Sequence, residues 1–224
     1  NIAHGNSSVI ADRIASAHAE YVVTEAGFAT ELGAEKFFHL KCAITGRWPD
    51  AAVCVATVRA LKSHQPGAPL DAEDVAAVHV GGANLRRHVE NLRVFGVPVV
   101  VAINRFPGDT DAELAAVREI AREAGAHATV AHDAYVRGGD GAIDLAAAVE
   151  DACAAGTTPR RVYEPDAPVT EKVRLLATTL YGAAEVAWEP RATRALARFE
   201  AAGFGSLPVC VAKTHSSLSH DPTR

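Results

Sequence analysis

Apolar positions in this chain follow two rhythms: uninterrupted runs closed by turn formers, and stripes at helical spacing. The clearest run is Val97-Pro-Val-Val-Val-Ala-Ile-Asn104, which breaks off into Arg105, Phe106, Pro107, Gly108 and Asp109. A run of small and β-branched residues bounded in this way predicts a strand buried on both faces, as in a parallel sheet. Residues 51–58 repeat the pattern, and residues 128–132 read as a weaker strand. Residues 21–25 predict a short buried strand ending in an acid, and residues 207–212 a last strand.

Between these runs the period changes to that of a helix. Leu32, Phe37 and Leu40 share one stripe, and Leu85, Val89, Leu92 and Phe95 share another over residues 84–95. The basic residues Arg86, Arg87, His88 and Arg93 then form the wet side of that helix. Residues 110–124 predict a helix capped by Asp109 or Thr110, with acids in its first turn. Further helices are expected near residues 9–19, 142–154, 169–181 and 189–202, the last stopped by Gly203. The polar stretch 1–8 supplies caps for the first of these, and a helix start of that kind also favours an anion. Strands alternating with helices predict an α/β fold with a mostly parallel sheet and flanking helices.

Composition narrows the function classes. Of 224 residues, 49% are apolar, and 22 basic against 27 acidic residues give a net charge of -5. That balance offers no electrostatic case for nucleic acid or an anionic membrane, and no apolar run reaches membrane-spanning length. Cys42, Cys54, Cys153 and Cys210 are scattered without a CxxC pair. Cys54 and Cys210 sit in apolar runs, so buried thiols in a reducing cytoplasm are expected. The chain starts at Asn1 and holds no methionine, which predicts an internal piece of a longer polypeptide.

Chemistry concentrates after the apolar runs. In open parallel sheets, ligands bind where the carboxyl ends of strands meet loops. Glu25 and Phe28, Arg59 and Lys62, Asn104 and Phe106, and Lys213 and Thr214 follow four of the runs. Their recurrence predicts one shared ligand crevice. The first three pairs have a plainer reading. Glu25 is a lone acid, Phe28 fits a core plug as well as a stacking face, and Arg59 and Lys62 fit a solvated helix start as well as a phosphate contact. Residues 104–109 alone read as an ordinary Pro-Gly turn. Residues 135–141 are glycine-rich, but their order matches neither GxxxxGK[ST] nor GxGxxG. The ten histidines show no HExxH, and His4, His215 and His220 read as loop donors, so no metal-ligand set is expected.

Six segments in order then carry a family resemblance: Asn1-Ile-Ala-His-Gly-Asn-Ser-Ser8, Val22-Val-Thr-Glu-Ala-Gly-Phe28, Leu32-Gly-Ala-Glu-Lys-Phe37, Val55-Ala-Thr-Val-Arg-Ala-Leu-Lys62, residues 97–107 and residues 207–219. Over essentially its whole length the chain resembles formate–tetrahydrofolate ligase. The resemblance implies an ATP-dependent reaction in the cytoplasm that joins formate to tetrahydrofolate through formyl phosphate, giving 10-formyltetrahydrofolate, ADP and phosphate. It implies Mg2+ with the ATP, a monovalent cation as helper, a core similar to P-loop ATPases but incomplete in this chain, and a homo-oligomeric parent. By resemblance, Phe28, Phe106, Pro107 and Tyr135 wall the folate. Asn104, Lys213, Thr214 and Ser216 flank the nucleotide, and Glu25 is the catalytic acid facing phosphate and magnesium. Residues 1–156 are then the nucleotide- and folate-binding α/β segment. Residues 157–224 are a connector, helices and final strand with the adenine-side loop, in the same fold unit.

Departures accompany the match. The family's GxxxxGKT loop lies upstream of Asn1, so the segment alone is expected to be inactive. Tyr135 stands where the family usually has Trp. Ala29-Thr30-Glu31 replaces Gly-Ala-Asp, His64-Gln65-Pro66 replaces His-Gly-Gly, and the helical stretch between Pro66 and Gly82 is shortened. These changes keep a second reading open, a non-catalytic folate- or nucleotide-binding module or degenerate paralogue.

Overall fold

The computed structural model describes residues 6–212 and 218–219. In chain order the helices are α1 (Val9–His18), α2 (Ala43–Thr45), α3 (Val58–Lys62), α4 (Val75–Val94), α5 (Asp111–Glu123), α6 (Ala134–Arg137), α7 (Ile143–Ala155), α8 (Val169–Thr179) and α9 (Pro190–Ala201). The strands are β1 (Ala52–Ala56), β2 (Val99–Asn104) and β3 (Ala128–His132). Two compact units result: Asn1–Trp48 with Arg160–Arg224, and Pro49–Pro159.

The unit formed by Pro49–Pro159 is the α/β body that the alternation of periods predicts. Its three strands are parallel in the order β1-β2-β3. Ala52 pairs with Val99 at one end of β1·β2, and Asn104 pairs with His132 at the far end of β2·β3. Central β2 is the core: Val99, Val100, Val101, Ala102 and Ile103 are each at most 1% exposed. The run that predicted burial on both faces has it, because β2 alone has a strand on either side. On edge strand β1 only alternate residues are sheltered, and Val53 and Val55 stay 46% and 67% exposed.

The helices of this unit obey local signals. Thr110 caps α5 in a capping box, accepting from the Glu113 N–H while the Glu113 side chain accepts from the Thr110 N–H. Helix α4 begins at Val75, capped by Asp74, nine residues earlier than the apolar stripe predicted. Gly81 and Gly82 disguise its first turns in the sequence. Gly81 belongs there for contact: a Cβ on it would lie 1.9 Å from the Leu61 carbonyl oxygen at the end of α3.

The second unit is helical and irregular, with no strand among its described residues. Ser8 caps α1, accepting from the Ala11 N–H. Residues 29–42 form the predicted helical stretch, mostly as two wide π-type segments, Ala29–Ala34 and Phe37–Cys42. Phe38 is buried and stacks on Trp48 at 5.3 Å. Two predicted strands do not form. Residues 21–25 join no ladder, and Val23 is 98% exposed. Residues 207–212 form no strand and are tied down from elsewhere. Buried Lys172 donates to the Gly205 and Leu207 carbonyls, and the Tyr163 hydroxyl accepts from the Val209 N–H. An apolar run becomes a strand only when a neighbour completes its hydrogen bonds, and among the described residues none does. The buried-thiol expectation also fails at Cys210, which is exposed, and holds only in part at Cys54, which is half-buried. Among the described residues no helix is long and apolar enough to cross a membrane.

Candidate functional site

The carboxyl edge of the sheet is built by two neighbouring strand ends. Asn104 closes β2 and His132 closes β3, in register, so their side chains share one face. The Arg105 N–H donates to the His132 carbonyl at 3.0 Å, holding the strands together to their last residue. After Asn104 the chain turns at once. The Phe106 N–H donates to the Asp109 carboxylate at 2.8 Å, and the Asp109 N–H donates back to the Phe106 carbonyl at 3.0 Å. This closed turn presents Phe106, 47% exposed, and exposed Pro107 just before α5.

The β3 side is built in the same spirit. The stretch predicted as a glycine-rich loop is ordered as α6 and a 3-10 turn, Gly138–Ala142. The Asp133 N–H donates to the Gly141 carbonyl, and the Arg137 guanidinium donates to the Asp140 carbonyl. A Cβ on Gly141 would lie 2.5 Å from the Asp133 carboxylate, so glycine is what lets the loop close. The closed loop holds Tyr135 out at 96% exposed, with Val136 beside it at 70%. Aromatic and apolar side chains displayed together at the carboxyl edge of the sheet mark a surface suited to contact. A flat heterocycle suits it, because ring faces stack.

The other predicted site residues belong to other segments of the chain. Glu25 is exposed and Phe28 is 44% exposed, both in the unit without the sheet. Lys213, Thr214 and Ser216 lie outside the described residues, as do His4, His215 and His220. The phosphate reading of Lys62 is overturned. Its ammonium is buried and donates to Glu113 at 2.9 Å and to the Ala72 carbonyl. Glu113 also accepts from the Asp74 N–H. Burial acts to raise the Glu113 pKa, but the hydrogen bonds from Asp74, Lys62 and Thr110 outweigh it and hold the carboxyl below its usual range. Lys62 is therefore a core clamp joining α3, the start of α4 and α5. Arg59 is exposed.

A second polar cluster is structural in its contacts. The Val162 N–H donates to His39 Nε2, so the neutral ring carries its hydrogen on Nδ1 and donates to Glu35, 2.9 Å away. His39 stacks on Tyr163 at 4.2 Å, and burial pushes the Glu35 carboxyl above its usual range. Two open clefts are lined by other residues. One of about 350 Å³ is lined by Arg174, Thr178 and Trp188. The other, about 280 Å³, lies between α4 and α5, where Arg86 and Glu123 already pair at 2.9 Å. Among the described residues no group of three or more His, Cys, Asp or Glu side chains is placed to hold a metal ion.

In the sequence His132 reads only as the end of a weak strand, Asp109 as a candidate helix cap and Gly141 as part of a glycine-rich loop. Only the register of β2 and β3 makes His132 a neighbour of Asn104.

Comparison with known proteins agrees with the motif reading. The sequence profile of the family Formate--tetrahydrofolate ligase matches residues 1–224. A formate--tetrahydrofolate ligase of Saccharopolyspora erythraea is 50% identical, over 100% of this chain and 41% of that protein. One from Herpetosiphon aurantiacus is 48% identical over 99% of this chain and 41% of that protein. One from Cutibacterium acnes is 50% identical over 100% of this chain and again 41% of the relative. The chain thus spans about two-fifths of the length of the relatives it matches.

Proposed function

The chain belongs to the formate–tetrahydrofolate ligase family, and from that premise we propose that it forms the folate-contacting part of an ATP-dependent ligase. In the proposed reaction a formate oxygen attacks the γ-phosphorus of ATP, releasing ADP and leaving formyl phosphate. N10 of tetrahydrofolate then attacks the formyl carbon, the carbon–oxygen bond to phosphate breaks, and N10 loses its proton. The products are 10-formyltetrahydrofolate and phosphate.

The observation that carries this reading is the pair of exposed aromatics, Phe106 with Pro107 and Tyr135, on adjacent strand ends in register. In the proposal they grip the pterin by its faces, and Phe28 is assigned to the folate by the family resemblance alone. Asn104 stands at the foot of the same edge and, with Lys213, Thr214 and Ser216, is assigned to the adenine side. Glu25 is assigned to the phosphate side. Mg2+ would screen the charge of ATP. Glu25 is the acid proposed to face it.

Titrating the 224-residue chain with tetrahydrofolate while following Tyr and Trp fluorescence tests the reading. Saturable quenching is expected, with Phe106→Ala and Tyr135→Ala each weakening binding by about tenfold, the equivalent of roughly 1.4 kcal/mol. Absence of saturable quenching, or full affinity in both variants, would overturn it. A folate-binding module without turnover is the second reading. The strained Ala29 beside Phe28, at φ 63, favours it. Binding without ATP-dependent formyl transfer in a protein of full family length would select it.

A further inference from the structure

His132 stands at the foot of the proposed folate surface, and no role assigned above uses it. Its backbone carbonyl is committed to the Arg105 N–H, but its side chain makes no hydrogen bond among the described residues. Nδ1 is fully buried without a partner, whereas the residue as a whole is only half-buried. Asp133, the nearest acid in sequence, does not serve it: the Asp133 carboxylate faces the Arg137 guanidinium at 3.6 Å. Nε2 is neither buried without a partner nor bonded to protein, so it lies at the surface.

The tautomer follows from this arrangement. Among buried backbone groups an orphaned N–H is rarer than an acceptor left short of donors, and the same preference is applied to the ring. The neutral ring therefore keeps its hydrogen on Nε2 and turns an N–H donor outward. That donor shares the sheet face of Asn104, beside the turn that displays Phe106. Aromatic faces hold a flat heterocycle but do not fix its rotation in the plane, and a donor at the edge does.

We infer that His132 is a positioning residue for the folate, its Nε2–H donating to an acceptor on the rim of the pteridine ring, the ring carbonyl being the strongest. This rests on the folate reading of the strand-end aromatics. A leucine at this position would keep the bulk and lose the donor. A glutamine would carry an amide N–H to nearly the reach of Nε2.

The test uses the ligase of full family length carrying this segment, with three variants compared by KM for each substrate, kcat and melting temperature. His132→Leu is expected to raise KM for tetrahydrofolate by about tenfold while leaving KM for ATP and formate unchanged. His132→Gln is expected to remain within about threefold of the unsubstituted protein. In 15N spectra the His132 ring is expected to keep its Nε2–H tautomer and to shift on tetrahydrofolate titration. Phe106→Ala separates the two levels of the argument. If Phe106→Ala weakens folate use and His132→Leu does not, the inference falls and the folate surface stands. If neither has an effect, both fall. Equal losses in His132→Leu and His132→Gln at unchanged melting temperature would also remove the donor role.

Discussion

Ala29 shows how a single residue can carry strain that its neighbours impose. It adopts φ 63, a left-handed conformation that crowds a Cβ against the backbone. Four residues on, Gly33 approaches Gly27 so closely that a Cβ there would lie 1.7 Å from the Gly27 carbonyl oxygen. The chain around Phe28 is thus folded tightly on itself, and Ala29 sits where the family usually has glycine. Ala29→Gly is expected to stabilise the protein by about 0.5–1 kcal/mol, the relief of strain exceeding the added chain entropy. Denaturant unfolding checks this, and an unchanged or lower midpoint would refute it. Glu113 carries a different load. Its pKa is depressed in the fold relative to 4.5, so the stability it contributes is present above that value and lost as pH falls through the folded pKa. Glu113→Gln, which leaves Lys62 buried beside a neutral partner, is expected to cost about 3 kcal/mol at pH 7. The gap to the unsubstituted protein should close as pH drops below 4.5. A gap independent of pH in that range would show that the carboxylate charge is not what Lys62 needs.

At the scale of elements, similar apolar runs meet different fates. Residues 51–58 and 97–104 are nearly interchangeable as patterns, yet Val101 is fully buried in β2 while Val55 is 67% exposed on β1. Val101→Ala should cost about 2–3 kcal/mol through lost contacts and a residual cavity. Val55→Ala should cost less than about 0.5 kcal/mol. Equal costs in thermal unfolding would contradict the edge position of β1. Capping is where elements were most legible. Ser8 and Thr110 stand at the helix starts that their side chains predict, because a cap is settled within four residues of sequence. Helix α4 was less legible, since Gly81 serves a contact with Leu61 that only the folded chain makes.

Over the whole molecule, the sheet unit was readable in advance and the other unit much less so. Consecutive residues determined the three strands Ala52–Ala56, Val99–Asn104 and Ala128–His132, the helices between them, and the aromatics that follow two of the strand ends. Motif segments spread along the chain determined its family. Tertiary structure alone decided that residues 21–25 and 207–212 form no strand, and that Lys62 turns inward to a carboxylate 51 residues away. It also decided that His132 stands beside Asn104 with one ring nitrogen sealed in and the other turned out. The reason is physical. Periodicity and capping are local interactions, written in neighbouring residues. Strand pairing, the burial of a charge and the register of neighbouring strand ends depend on partners that are distant in sequence and meet only when the chain has folded.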